Sequence, residues 1–192
     1  MLDSEEQPTP AGDDSGFDRF RGYLHVLARA AIGPQWERRF DASDIVQETL
    51  LEAHRNRHQL RGRDPRQLAA WLRTILGRNL GQAMRDHQRA RRDLRRYVPI
   101  YRVLEQSSAR LAACAADSAS SPSKPAQRDE AARRTGEAIF ELGGAQQEAI
   151  VALYVEGLPI DEVARRMERT PVAVTMLARR GLARLRELLK GR

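Results

Sequence analysis

The sequence predicts an all-α protein: two small helical domains joined by a flexible linker, with a helix-turn-helix as the C-terminal domain. Strand-forming runs of Val, Ile, Thr and aromatic residues are missing, whereas Arg, Ala, Leu and Glu dominate the 192 residues. Apolar residues recur at helical spacing along most of the chain. Helical spacing is lost in one internal stretch rich in Ser and Pro, which divides the chain into two helical parts.

Four segments follow from these patterns. Residues 1–15 are acidic and have little to bury, which predicts a disordered tail. Residues 16–97 form the N-terminal helical domain, and residues 133–192 form the C-terminal domain. Residues 98–132 are expected to be a flexible linker because their composition is that of a solvated tether.

Three amphipathic helices are expected in the N-terminal domain. The first begins near Phe17 and is stopped by Gly33-Pro34. The second runs roughly over 44–57, with Asp41 or Ser43 as its N-cap. It is expected to bury one stripe and to expose the opposite face: the stripe is Ile45, Val46, Thr49, Leu50 and Ala53, and the face is Asp44, Gln47, Glu48, Glu52 and Arg55. The third, over about 66–84, is expected to bury an apolar stripe that includes Trp71. Its exposed side is expected to carry Arg73, Arg78, Asn79 and Gln82.

The C-terminal domain carries the pattern of a helix-turn-helix. Its first helix is expected over 160–167, and a break follows at Glu168-Arg169. Thr170 suits the N-cap of the second helix and Pro171 its first position. That second helix has one apolar and one basic side, as in helices that enter the major groove of DNA. A helical hairpin packed into an ordinary all-α core is the alternative.

The charge distribution favours a polyanionic partner. Net charge is +7, although residues 1–16 contain five acidic and no basic side chains. Residues 85–96 hold six Arg and two Asp, a cluster that creates a positive potential for phosphates. A solvated helix face is the alternative explanation for such a run.

The sequence offers no pattern typical of an enzyme. It contains no Gly-rich phosphate loop, no His/Cys metal cluster and no nucleophile beside a base, so we expect neither catalysis nor a cofactor or metal. A single cysteine, Cys114, excludes an internal disulfide and favours a reducing cytoplasm. The acidic N-terminus is unlike a secretory signal, and no apolar run approaches the roughly 20 residues that span a bilayer.

Two motifs give the chain a family resemblance. The first is Asp44-Ile45-Val46-Gln47-Glu48-Thr49, and the second is Ala70-Trp71-Leu72-Arg73-Thr74-Ile75-Leu76-Gly77-Arg78-Asn79-Leu80. With the Arg-rich run, the linker and the helix-turn-helix that follow, the chain resembles a bacterial RNA polymerase sigma factor of the extracytoplasmic-function type. The resemblance covers about residues 16–97 and 133–190.

The resemblance implies three binding surfaces. The helix of the first motif would dock on the coiled-coil clamp of the largest polymerase subunit through Asp44, Gln47, Glu48 and Leu51. The second motif and the following loop would bind the −10 promoter element as a single strand with a flipped base, through Arg78, Asn79, Gln82, Arg85, His87 and Arg89. The recognition helix would read the −35 element as duplex through Thr170, Val172, Thr175, Met176, Arg179 and Arg180.

The sequence departs from the family pattern within the recognition helix. The family often has Lys-Ser-Arg where this chain has Thr175-Met176-Leu177, which shifts weight from base contacts to shape and phosphate contacts. The turn has Arg169 where Gly is frequent. The partners implied are core RNA polymerase, promoter DNA and an anti-sigma factor.

Two other functions are compatible with the same residues. A stand-alone helix-turn-helix transcriptional regulator would bind a palindrome without polymerase. A basic helical adaptor would bind RNA or protein through its charged surface. Specific initiation with core polymerase distinguishes the sigma factor from both.

Overall fold

The computed structural model describes residues 15–33, 41–60, 67–91, 100–116 and 125–191, and over these residues the chain is all-α, as predicted. The helices are α1 (Ser15–Asp18), α2 (Arg21–Ile32), α3 (Ala42–Arg55), α4 (Leu68–Arg91), α5 (Ile100–Ala116), α6 (Pro125–Leu142), α7 (Gly144–Ile150), α8 (Ile160–Arg166) and α9 (Pro171–Lys190). A 3-10 turn, Arg57–Leu60, follows α3, and a π-helical segment, Val151–Glu156, continues α7. None of the described helices is both long and apolar enough to cross a membrane.

Helices α2, α3 and α4 pack together as the N-terminal domain. Asp41 caps α3, since its carboxylate accepts a hydrogen bond from the Ser43 amide at 2.8 Å. Gly33 ends α2 with a φ of +65°, as its position in the sequence predicted. The predicted buried stripe of α3 is confirmed for all its members, Ile45, Val46, Thr49, Leu50 and Ala53.

Helix α4 continues beyond its expected end near residue 84 and reaches Arg91. Its extra turns contain no Gly or Pro, so nothing in the local sequence stops the helix. Gln82 also donates to Asp86 one turn later, at 2.8 Å, a pairing that stabilises an extended helix. The rest of the basic run, residues 92–96, lies outside the described residues, as does the acidic tail up to residue 14.

The structure departs most from expectation over the predicted linker, 98–132. Helices α5 and α6 occupy much of it, and α5 buries Ile100, Leu104 and Leu111. Ser107 and Ser108 suggested a solvated linker, yet they are only 2% and 5% exposed because α5 packs closely on its neighbours. The Ser- and Pro-rich residues 117–124 lie outside the described part of the chain.

Helix α6 joins the two halves of the molecule. It packs on α2 and α5 on one side and on α9 on the other. One apolar core therefore runs from Phe20, at the start of α2, to Leu185 in α9. A second, smaller core holds the helix-turn-helix together and includes Val163 of α8 and Val174 of α9.

The helix-turn-helix has the expected boundaries. Thr170 is the N-cap of α9, and its hydroxyl accepts from the Ala173 amide at 3.2 Å, while Pro171 opens the helix. The tight turn places Glu168 in the left-handed region with a φ of +52°. The position in this turn that suits glycine is therefore Glu168. The family resemblance had placed the glycine position one residue later, at Arg169.

We expect Glu168→Gly to raise the free energy of unfolding by about 0.5 kcal/mol, since Gly relieves a strain of about 1 kcal/mol but makes the unfolded chain more flexible. Thermal denaturation measures the change. Arg169→Gly is the matched control, and it should destabilise the protein because Arg169 has no positive φ to relieve. Stabilisation by Arg169→Gly but not by Glu168→Gly would contradict this description of the turn.

Candidate nucleic-acid interface

The four residues predicted to bind polymerase lie on one exposed side of α3, here called the α3 face. Asp44, Gln47 and Glu48 are exposed, and Leu51 is 49% exposed. Spacings of three and four residues place them on one side of the helix. They line a shallow concave surface, while the opposite side of α3 is buried in the core. The structure therefore presents these acidic and amide groups on a firmly held helix.

The residues predicted to bind the −10 element lie along α4, and we call them the α4 face. Arg78 is exposed and forms an ion pair with Glu52 of α3. Asn79 is half-buried, and its amide nitrogen donates to the Thr49 hydroxyl oxygen at 3.3 Å. The Thr49 hydroxyl itself donates to the carbonyl of Ile45 at 2.7 Å, which fixes its orientation. Both candidate DNA-binding residues are thus positioned by α3.

Sequence reasoning missed Thr49 and Glu52 as supporting residues. Thr49 is fully buried, and its place in the apolar stripe of α3 concealed a polar role. Glu52 was expected on the exposed side of α3, one turn after Glu48, but its ion pair with Arg78 of α4 was not foreseen because it joins two helices. Since Glu52 also lines the concave surface of the α3 face, the two candidate interfaces adjoin each other.

The remaining members of the α4 face form a local chain of contacts. Gln82 donates to both carboxylate oxygens of Asp86, at 2.8 and 2.9 Å. Arg85 donates to the Gln82 amide oxygen at 2.9 Å. His87 is half-buried, and Arg89 lies within α4, although its side chain is outside the described part.

The prediction that Arg73 is exposed was wrong. Arg73 is only 6% exposed because α5 and α6 cover its side of α4. Its guanidinium donates to the Tyr23 hydroxyl and to Asp129, each at 2.8 Å, and to Glu105 at 2.9 Å. The Tyr23 and Ser108 hydroxyl oxygens lie 3.0 Å apart. We call these five residues the Arg73 cluster.

The Arg73 cluster joins ionised and neutral groups. Burial raises the pKa of Tyr23 above its ordinary value, although the nearby Arg73 charge opposes this, so the phenol stays protonated. Burial would lower the pKa of Arg73, but Tyr23 and Asp129 together hold that pKa above its ordinary value. A permanently charged guanidinium therefore lies between α2, α4, α5 and α6.

The predicted −35 residues lie on the outer side of α9, here called the α9 face. Val172 is 73% and Met176 is 46% exposed, and Arg179 and Arg180 are exposed beside them. The hydroxyls of Thr170 and Thr175 both bond to the backbone of α9 itself. Apolar and guanidinium groups therefore dominate this surface, and these groups can contact thymine methyls and phosphates or guanine edges.

Two further arginines border the start of α9. Arg165 and Arg169 are exposed and line a concavity at the N-terminus of the helix, beside Thr170. Helix N-termini favour phosphate, and adjacent guanidinium groups strengthen that preference. These two residues escaped the sequence prediction because they belong to α8 and to the turn rather than to the recognition helix.

Two protein-family models match the chain. The sigma-70 region 2 model matches residues 17–90, and the sigma-70 region 4 model matches residues 132–185. The chain belongs to the sigma-70 family. Its pair of regions identifies it as a sigma factor of the extracytoplasmic-function type, as the sequence motifs indicated. No match was found among curated proteins or among solved structures.

The two matched regions take in most of the helices of this sigma factor. Region 2 spans α2, α3 and α4, and therefore contains both the α3 face and the α4 face. Region 4 begins inside α6 and contains the helix-turn-helix with the α9 face. Together the two regions cover more than half of the chain and give it a role in promoter recognition.

Proposed function

We propose that this sigma factor binds core RNA polymerase through the α3 face and directs initiation by reading the −10 element with the α4 face and the −35 element with the α9 face. It would act as a specificity subunit without catalysis of its own. The observation that carries the proposal is that all three faces lie on helices of the two matched regions, with the α3 and α9 faces exposed and with Arg78 and Gln82 exposed on the α4 face.

The α3 face suits a basic partner surface. Its carboxylates and amide supply hydrogen-bond acceptors for Lys and Arg, and Leu51 adds an apolar contact at its edge. The buried side of α3 keeps these groups in place, so little ordering entropy is lost on binding. These properties support a polymerase-docking role.

The α4 face suits a single strand held close to that docking site. Asn79 can pair with a base edge, and Arg78 can bind a phosphate or a guanine. Contacts of this kind offset part of the cost of unpairing the −10 duplex. The link from Asn79 to Thr49 supports a fixed orientation for the reading amide.

Transcription in vitro tests the function directly. Purified chain and core polymerase are incubated with a promoter library, and the 5′ ends of the transcripts are sequenced. We expect start sites that share one −10 and one −35 sequence. Failure of the chain to associate with core polymerase would reject the proposal, and a two-fold symmetric footprint without polymerase would favour the stand-alone regulator.

We expect Asn79→Ala to change −10 preference and lower initiation several-fold while core affinity stays unchanged, since each base-reading contact contributes about 1–3 kcal/mol of discrimination. The fold should persist, because Thr49 keeps its own bond to Ile45. Sequencing of transcripts from a −10 library measures the preference. Gln59→Ala, an exposed amide outside all three faces, is the control, and an unchanged −10 profile would remove Asn79 from the site.

A further inference from the structure

The α9 face carries two exposed apolar side chains close to the N-terminus of the recognition helix. Val172 is the second residue of α9 and is 73% exposed, and Met176 lies one turn later and is 46% exposed. The smaller core takes Val174 and Ala178 from the other side of the helix, so the fold does not bury this pair. We call Val172 and Met176 the apolar patch, and its place on a DNA-facing helix points to a partner with apolar groups.

The polar groups that usually read bases are missing around the apolar patch. Adenine is read by Asn or Gln, and cytosine by Asp or Glu. None of these four residue types occurs between positions 169 and 183, which include the first three turns of α9. The two hydroxyls bond to the backbone: Thr170 accepts from the Ala173 amide at 3.2 Å, and Thr175 donates to the Pro171 carbonyl at 2.9 Å. Apolar and guanidinium groups are left to read the bases.

Thymine is the base that such a patch can recognise. Its 5-methyl group lies in the major groove, and none of the other three bases presents a methyl group there. Residues four positions apart on a helix have Cβ atoms about 5–6 Å apart, and base pairs stack about 3.4 Å apart. Val172 and Met176 can therefore contact methyl groups on base pairs that are one or two steps apart.

The charged groups around the apolar patch favour duplex DNA as its partner. Four exposed arginines surround it: Arg165, Arg169, Arg179 and Arg180. The last two follow Met176 by three and four residues and so lie on its side of α9. The first two line the concavity at the start of the helix, together with the carboxylates of Asp161 and Glu168, which the four arginines outnumber. An apolar centre with a cationic border matches thymine methyl groups between two rows of phosphates.

We propose that the apolar patch selects the −35 element by packing on thymine methyl groups in the major groove. The selected duplex has thymine, on either strand, at two base pairs that lie one or two steps apart. Phosphate contacts by the arginines supply affinity for any duplex, and the patch supplies the sequence preference. The inference rests on the proposed function, because it assigns the chemistry by which the α9 face reads its element.

The test replaces thymine by deoxyuridine in the −35 element of a promoter that the holoenzyme uses. Deoxyuridine keeps the pairing with adenine and lacks only the 5-methyl group. Duplexes with one replacement each compete for holoenzyme, which is the full chain bound to core polymerase. We expect about fourfold weaker competition at each of the two base pairs that meet the patch, and about tenfold when both are replaced. Replacement in the spacer between the two elements should have no effect.

Variants of the chain connect this penalty to the apolar patch. Val172→Ala combined with Met176→Ala should bind the unmodified promoter more weakly and reduce the deoxyuridine penalty to below about twofold. Both side chains are exposed and alanine favours helix, so the fold should persist, which circular dichroism checks. Arg179→Ala is the matched comparison, because it removes a guanidinium from the same face. It should weaken binding to both duplexes and retain the full penalty.

Each result decides the question. Equal competition by the thymine and deoxyuridine duplexes would overturn the inference and leave the proposed function intact, since the holoenzyme would still initiate. A −35 element made only of G·C pairs would also overturn it, as would an undiminished penalty in the Val172/Met176 variant. A chain that never initiates with core polymerase rejects the proposed function, and the inference is rejected with it.

Discussion

Replacing Gln47 and Glu48 together by alanine is expected to weaken binding to core polymerase by at least about tenfold, because contacts to a charged partner contribute more than about 1.4 kcal/mol in total. Both side chains are exposed and alanine favours helix, so the fold should be unaffected. Titration of fluorescently labelled chain with core polymerase measures the affinity, and thermal denaturation checks the fold.

The control for this pair removes the same chemistry elsewhere. Gln106→Ala combined with Glu130→Ala deletes one amide and one carboxylate from exposed positions on α5 and α6. This control should bind core polymerase at least as well as wild type. Equal affinity of the Gln47/Glu48 variant and the control would show that the α3 face is not the docking surface.

Arg73→Met is expected to lower the free energy of unfolding by about 3 kcal/mol, because removing one partner leaves buried polar groups without their counter-charge. Tyr23 and Asp129 would both lose a 2.8 Å donor. Chemical denaturation measures the loss, and Arg73→Lys should recover part of it by restoring the charge without the guanidinium geometry.

Arg78→Met is the matched control for this second prediction. Arg78 lies on the same helix, but its side chain is 56% exposed and its ion pair with Glu52 is open to solvent. Such pairs contribute about 0–1 kcal/mol, so the control should barely change stability. Equal losses for the two arginines would contradict the assignment of Arg73 to a buried, structural role.

Local signals in the sequence were sufficient for the helix-turn-helix and the α3 face. Thr170-Pro171 marks a helix start through a side-chain cap and a fixed φ, and neither depends on distant residues. The apolar stripe of α3 likewise follows from spacing alone, which also placed Asp44, Gln47 and Glu48 on the outside. Each of these features is determined within a few turns of the chain.

Tertiary packing explains the residues that were misassigned. Arg73 looked exposed because a charged side chain is ordinarily solvated. Helices α5 and α6, which come later in the chain, cover it. Ser107 and Ser108 suggested a linker, although Ile100, Leu104 and Leu111 around them kept helical spacing. Small polar residues fit equally well in solvent and at a close helix contact, so composition alone could not separate the two.

The Tyr23 amide, bonded to Glu137, has a consequence for synthesis of the protein. Phe20, the N-cap of α2, supplies no side-chain bond, so the first turn of α2 depends on a carboxylate 114 residues later in the chain. During translation, region 2 leaves the ribosome with that turn incomplete. The beginning of the nascent protein can therefore reach its final hydrogen bonding only after α6 has emerged.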